Sequence, residues 1–285
     1  MTAENLTWTV ALLVLVGVLG SLIGSFLNVV VYRVPAGRSI VSPPSACPHC
    51  GAPIRPWDNI PVVSWLVLRG RCRDCGAPIA IRYPVVELAT ALFFVGITWW
   101  QLGSLSAALD AGSASTLVGA ILELVAFLYL GAISVALLLI DLDTRRLPNV
   151  IVLPGYIVGL VLLGAAAVLR LEFSSLISAA IGAVALFAFY LLLAVIRPGG
   201  MGLGDVKLAG VLGLFLGWTG WGALLVGVFS AFLLGGIFSI VLMIARRAGR
   251  RTAIPFGPWM LIGCWIGVFF GGTIANAYLA LFGLS

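Results

Sequence analysis

The chain has 285 residues, of which 62% are hydrophobic and only 9% charged, and its mean hydropathy is +1.18. These values exclude a soluble globular domain and point to an all-α polytopic membrane protein. The formal net charge of +6 requires no nucleic acid, because a basic face beside anionic membrane lipid is the ordinary condition of such a protein.

Taken in chain order, uncharged runs long enough to cross a bilayer as helices cover Asn5–Tyr32, Leu88–Leu109, Leu147–Leu169 and Phe173–Ile196. Leu117–Ile140 adds a span with one internal acid, Glu123, and Trp259–Phe282 adds another after a Pro-Phe-Gly-Pro lead-in. The uncharged stretch from Leu208 to Ala245 is too long for one crossing. Gly217-Trp218-Thr219-Gly220-Trp221 offers a turn within it, so two spans are expected there, the first one short. About eight transmembrane helices result. Residues 1–32 read as a retained first transmembrane helix, being too long for a signal peptide and lacking a small-residue cleavage site before the charged flank.

Lys and Arg accumulate in cytoplasmic loops. With the N-terminus outside, every basic residue except Arg170 falls on the cytoplasmic side. The expected location is therefore the cytoplasmic (inner) membrane, multi-pass, with the segment 33–83 inside.

That segment is the one polar stretch of domain-like size, and it contains a repeat: "CPHCGAPI" at Cys47–Ile54 returns as "CRDCGAPI" at Cys72–Ile79. Each Cys-x-x-Cys-Gly knuckle can place two thiolates on one metal, and four thiolates favour Zn²⁺. Cys47, Cys50, Cys72 and Cys75 are thus expected to hold a structural zinc ion in a cytoplasmic loop domain. Paired disulfides are the alternative, disfavoured by the reducing compartment. Cys264 is left over in the last span as a packing residue, and His49 lies inside the first knuckle without being needed as a ligand.

Acids at a membrane edge are costly and are functional candidates by default. Asp141 closes the apolar run "AISVALLLI" and opens "DLDTRRLPN"; Asp205 follows "GMGLG" and precedes another apolar run. Both fall at cytoplasmic ends of spans, at one depth, where two carboxylates can share a proton. Gly202 and Gly204 would let a substrate backbone approach. The competing reading makes both acids interfacial helix caps, with Arg145, Arg146 and Lys207 as counter-ions. A phosphate loop at "GGMGLGD" is weak, because no strand precedes it and the Gly-Lys-Ser/Thr ending is missing.

"GSFLNVVVYRVP" at Gly24–Pro35, the two cysteine knuckles with "DNIPVVSWLVLRGRCRDCGAPIAIRYPVVEL", "DLDTRRLPN" and "GMGLGDVKLAG" resemble, in order and spacing, the bifunctional type IV prepilin peptidases. The resemblance runs from Gly24 to about Gly213. It implies an aspartic endopeptidase of the Gly-x-Gly-Asp kind, with Gly202-Leu203-Gly204-Asp205 as that motif and Asp141 as the other acid, and with residues 84–285 as the peptidase region. Asp143 is a secondary candidate, and Lys207 supports the motif. The resemblance further implies S-adenosylmethionine-dependent methylation of the new N-terminus, with prepilin and pseudopilin precursors as partners. Residues of the family pattern that could serve methylation are Asn28, Arg33, Asn59, Arg82, Tyr83 and Glu87; each is as readily structural, Arg33 and Arg82 as lipid-phosphate anchors, Asn28 as an interhelical hydrogen bond and Glu87 as an arginine's partner. A proton- or metal-coupled transporter is the reading from another class, although the related halves expected of many transporters are not seen.

Overall fold

The computed structural model describes residues 3–197, 201–245 and 255–283. Gly200, which opens the glycine-rich stretch, and the expected cytoplasmic arginines Arg246, Arg247, Arg250 and Arg251 lie outside the described residues. The described chain is helical without a β-sheet. Its elements are α1 (Ala3–Arg33), a 3-10 turn (Pro56–Asn59), the short α2 (Val63–Val67), α3 (Arg82–Asp110), α4 (Ala114–Thr144), α5 (Asn149–Arg170), α6 (Phe173–Ile196), α7 (Leu203–Thr219), α8 (Trp221–Ile244) and α9 (Gly257–Ala280).

Seven of these helices are long and apolar enough to cross a membrane. The eighth long helix, α7, has 17 residues and is the short span expected before the Gly-Trp turn. It begins at Leu203, not Leu208, because Asp205 and Lys207 fit inside its first turns: Gly202 caps the helix, and the Asp205 carboxylate folds back to accept the Gly202 N–H at 3.1 Å. A search for uncharged runs cannot see that turn. The break between α7 and α8 falls at Gly220, whose φ of +131 is open to glycine and to few other residues.

Two compact units divide the chain, residues 1–103 and 104–285. In the first, α1 and α3 pack antiparallel with glycines at the contact: Gly20 lies against Ala91 and Phe94, Gly24 against Glu87 and Thr90. Asn28 Nδ2 donates to the Tyr83 carbonyl at 3.3 Å. That bond ties the end of α1 to the start of α3, the interhelical role expected for Asn28.

In the second unit the tightest pairs are also glycine-built. A side chain on Gly182 would meet the backbone of Gly213 and Gly217, and one on Gly213 or Gly217 would meet α6 backbone at Gly182 or Ser178. On α8 and α9, Ala223, Gly227 and Ala231 face Gly263, Gly267 and Gly271. This is two ladders of small residues at a spacing of four, and such ladders let backbones approach where lipid offers no hydrophobic drive to association. At the end of α4 distant from Asp141, buried Glu123 pairs with Arg170 and accepts the Trp218 indole N–H at 2.9 Å. One carboxylate thereby joins α4, α5 and α7. Cys264 is buried in α9, as expected of a packing residue.

Gly213→Ala should destabilise the protein by about 1–3 kcal/mol, the usual cost of overpacking, because its methyl group points into α6 backbone. Gly236→Ala, on an exposed face of α8 with nothing within 4 Å, should be neutral or slightly stabilising. Thermal unfolding of both variants in detergent measures the difference, and equal midpoints would refute close α6–α7 packing.

Candidate functional site

The first unit carries the cysteine module. Within each knuckle the first cysteine donates its N–H across a tight turn and accepts from the glycine after the second: Cys47 N–H to Ala52 O at 2.9 Å and Gly51 N–H to Cys47 O at 2.9 Å, then Cys72 N–H to Ala77 O at 2.8 Å and Gly76 N–H to Cys72 O at 2.9 Å. Gly51 and Gly76 share a φ of +71. The sequence repeat is thus a repeat of geometry, and glycine is needed in both copies for its left-handed backbone.

The four sulfur atoms lie within 4.8 Å of one another, with Cys47 Sγ and Cys75 Sγ 3.8 Å apart, and all the cysteines are free of disulfides. A tetrahedron with metal–sulfur bonds of about 2.3 Å has sulfur–sulfur edges of about 3.8 Å, so this donor set fits a four-thiolate ion. Hydrogen bonds from the backbone N–H groups of Cys50 and His49 draw the Cys47 thiol down to about 6, while, against a hydrogen bond from the Ala77 backbone, desolvation and the other three sulfurs push the Cys75 thiol up to about 12. Two ion pairs brace the knuckles. Arg73 grips Asp58 through both carboxylate oxygens, at 2.6 to 3.0 Å, and Arg55 meets Asp74 at 2.9 Å. The Arg73 guanidinium holds the Asp58 carboxyl below its ordinary range.

Three of the six residues set against methyl transfer already hold backbone groups. Arg33 donates to the carbonyls of Ser39 at 3.0 Å and Pro43 at 2.8 Å, closing the loop that follows α1. Asn28 is spent on Tyr83, and buried Glu87 accepts the Val62 N–H at 2.7 Å. Glu87 therefore holds a backbone amide. Asn59 ends the 3-10 turn, and Arg82 and Tyr83 begin α3 with exposed side chains. Asn28 Nδ2, the Arg33 guanidinium and one Glu87 oxygen are thus each engaged with backbone groups.

The second unit carries both aspartates at one end. Asp141 stands in the last turn of α4 and is 4% exposed; Oδ2 has no hydrogen-bond partner among the described residues. The helix stops four residues later, where Arg145 takes a left-handed conformation (φ 54) and donates its N–H to the Asp141 carbonyl at 2.8 Å. The chain then turns through Leu147 and Pro148 into α5. Leu147 packs on Gly204, one residue before Asp205, and on Gly257 at the head of α9. Leu147 thus lies between the residue preceding Asp205 and the glycine that faces Asp141 Oδ2, which sets both acids at the same end of the unit.

Gly257 was not singled out in the sequence. A side chain there would put its Cβ 2.6 Å from Asp141 Oδ2, so the Pro255-Phe256-Gly257-Pro258 lead-in forms a wall of the acid site. The available signal was a glycine between an aromatic residue and a proline at the head of a span. Asp143, two residues beyond Asp141, is exposed on a different side of α4. Lys207 Nζ donates to Asn149 Oδ1 at 3.1 Å, and its carbonyl accepts the Tyr156 hydroxyl at 2.6 Å. Lys207 thus clamps the start of α7 to α5 and does not face the acids as a counter-ion.

Comparison with known proteins places this arrangement. Residues 18–101 match the bacterial peptidase A24 N-terminal domain, and residues 128–240 match the type IV leader peptidase family. A prepilin leader peptidase/N-methyltransferase of Pseudomonas aeruginosa is 37% identical, covering 93% of this chain and 92% of its own length. Proteins of the same name from Neisseria gonorrhoeae (40% identical, 88% of each chain) and Aeromonas hydrophila (37%, 92% and 91%) are similar over nearly their whole lengths. No solved structure matches the chain. The chain belongs to the type IV leader peptidase family.

If the thiolates hold zinc, metal analysis of purified protein should find one zinc ion per chain. Cys72→Ser should lose it and expose residues 34–81 to protease, because a structural metal contributes folding free energy directly. Intact protein free of zinc, or containing disulfides, would contradict the assignment.

Proposed function

We propose that this protein is a membrane aspartic endopeptidase which removes the leader from prepilin and pseudopilin precursors and N-methylates the residue it exposes. The names and whole-length similarity of its relatives support the two activities, and none supports the transporter alternative. The observation that supports the chemistry is the placement of Asp141 and Asp205 at one end of the α4–α5–α7–α9 cluster, linked through Leu147 and Gly257, with a buried Asp141 oxygen left open.

A pair sharing one proton does two jobs at once. The ionised member takes a proton from a water, which attacks the scissile carbonyl. The protonated member gives its proton to the carbonyl oxygen; the acid that took the water's proton then passes it to the amide nitrogen while its partner takes a proton back from a hydroxyl of the tetrahedral intermediate, and the C–N bond breaks to release the amine of the mature chain. Gly202, lacking a side chain beside Asp205, leaves room for the extended backbone being cut, whereas Gly204 makes room for Leu147 and Gly257 for Asp141 itself. Asp143 is assigned an accessory part and Lys207 a positioning one.

Residues 33–83 are assigned a part in methyl transfer, and 84–285 are assigned to the peptidase region. S-adenosylmethionine supplies the methyl group to the new N-terminal amine, and Cys47, Cys50, Cys72 and Cys75 hold a structural zinc ion. The N-terminus is placed outside the cytoplasmic membrane, with the zinc module and both aspartates inside. That orientation puts Glu123 and Arg170 at the outer end and collects the other basic residues at the inner end.

The test follows leader loss and N-methylation separately, by mass, on one purified prepilin. Asp141→Asn and Asp205→Asn should each slow cleavage by roughly 10³-fold or more, as loss of a member of a catalytic unit does. Gly257→Ala should also slow it strongly, by displacing Asp141, and Asp143→Asn should have a milder effect. All four variants should still methylate a peptide supplied with its leader already removed. Near-normal cleavage by either Asn variant would refute the pair.

A further inference from the structure

The residues between the 3-10 turn and α2 form a hook whose apolar side chains face outward. Trp57, Ile60, Val63, Leu66 and Val67 are between 49% and 70% exposed, an unusual density of large exposed apolar groups on twelve residues of a polar segment. Internal hydrogen bonds satisfy several of the hook's polar groups. Ser64 Oγ donates to the Trp57 carbonyl at 2.8 Å and accepts the Ile60 N–H at 2.9 Å, and the Trp65 indole N–H donates to the Ile79 carbonyl at 3.1 Å. Backbone that closes its own polar groups can approach hydrocarbon, whereas open backbone cannot.

The attachment of the hook sets its depth. Val62 has φ 61 and ψ −50, and the Val63 N–H reaches back to the Pro61 carbonyl at 2.6 Å. This is a γ-turn of the rare strained kind, here on a β-branched residue. The Val62 N–H left pointing outward is taken by the buried carboxylate of Glu87 at 2.7 Å. Glu87 lies more than a turn inside α3, a helix of 29 residues, or about 43 Å against a hydrocarbon core of about 30 Å. The first turns of α3 therefore pass through the headgroup region, and Glu87 draws the hook to that level. Its charged surroundings are basic. Asp58 and Asp74 are taken by Arg73 and Arg55, while Arg69 and Arg71 are exposed at the end of α2.

We propose that residues 56–67 are an interfacial anchor, in which Trp57, Val63, Leu66 and Val67 enter the bilayer leaflet at the Arg33/Arg82 end and Arg69 and Arg71 meet anionic lipid phosphates. Apolar side chains with a tryptophan, backed by arginines, are the chemistry of a segment lying in an anionic bilayer interface. The anchor fixes the cysteine module against the membrane surface, where both ends of that module are already tethered. It does not depend on which side of the membrane the module occupies or on the catalytic assignments.

The test places a photo-crosslinking residue in the full-length protein, reconstituted in nanodiscs of phosphatidylethanolamine and phosphatidylglycerol. Val67→p-benzoylphenylalanine and, separately, Leu66→p-benzoylphenylalanine are irradiated and analysed by mass. Val85, exposed on the first turn of α3, is the lipid-facing reference, and Val41, exposed on the loop after α1, is the aqueous one. The anchor predicts phospholipid adducts at Val67 and Leu66 in yields comparable with Val85 and several-fold above Val41. Lipid yields no higher than at Val41, or adducts chiefly to added precursor, to residues 104–285 or to a second copy of the chain, would overturn it.

Discussion

A carboxylate inside an apolar helix bundle is tolerated only where the packing around it leaves room and a purpose, and the room around Asp141 is made by the absence of a side chain at Gly257. The second unit is arranged around that vacancy. Leu147 bridges Gly204 and Gly257, bringing the head of α7, and with it Asp205, beside the end of α4. The Arg145 turn releases the chain from α4 soon enough for Leu147 to reach that position. The α6–α7 and α8–α9 glycine ladders place α7 and α9 by backbone contact, which holds a geometry more firmly than flexible side chains would. At the other end Glu123 fixes α4 to α5 and α7. The two acids are therefore held in register from both ends of the helices that carry them.

Much of this was legible in the sequence, and the rest was hidden for definite reasons. Long uncharged runs gave the spans because hydrocarbon tolerates little else; the start of α7 escaped because a capping aspartate and a clamped lysine belong to the helix while breaking the run. The cysteine repeat announced its geometry because metal ligation demands fixed spacing and a left-handed glycine. Asp141 and Asp205 stood out as acids at span ends, but the Leu147–Gly257 link that sets them at one end of the unit could not be read without knowing which helices pack. Gly257 gave a faint local signal, since its meaning lies wholly in the carboxylate opposite. Glu87 was expected to meet an arginine and instead meets a backbone amide, because the γ-turn at Val62 frees an N–H that no local pattern advertises.

The first unit follows a different logic. The order of its segment between α1 and α3 comes from a cysteine cluster whose geometry fits a metal, two arginine–carboxylate braces and a few backbone hydrogen bonds, with no apolar side chain fully buried among residues 34–81. The helix pair α1 and α3 supplies the frame, and Asn28 and Glu87 carry that frame into the loop.

The central claim is that Asp141 and Asp205 act as one proton-sharing unit. The most direct measurement compares the cleavage rates of Asp141→Asn, Asp205→Asn and the double variant on the same prepilin. A single unit predicts that the double variant is about as slow as either single one, because losing one member already disables the pair. Losses that multiply in the double variant would show two independent contributions and contradict the account.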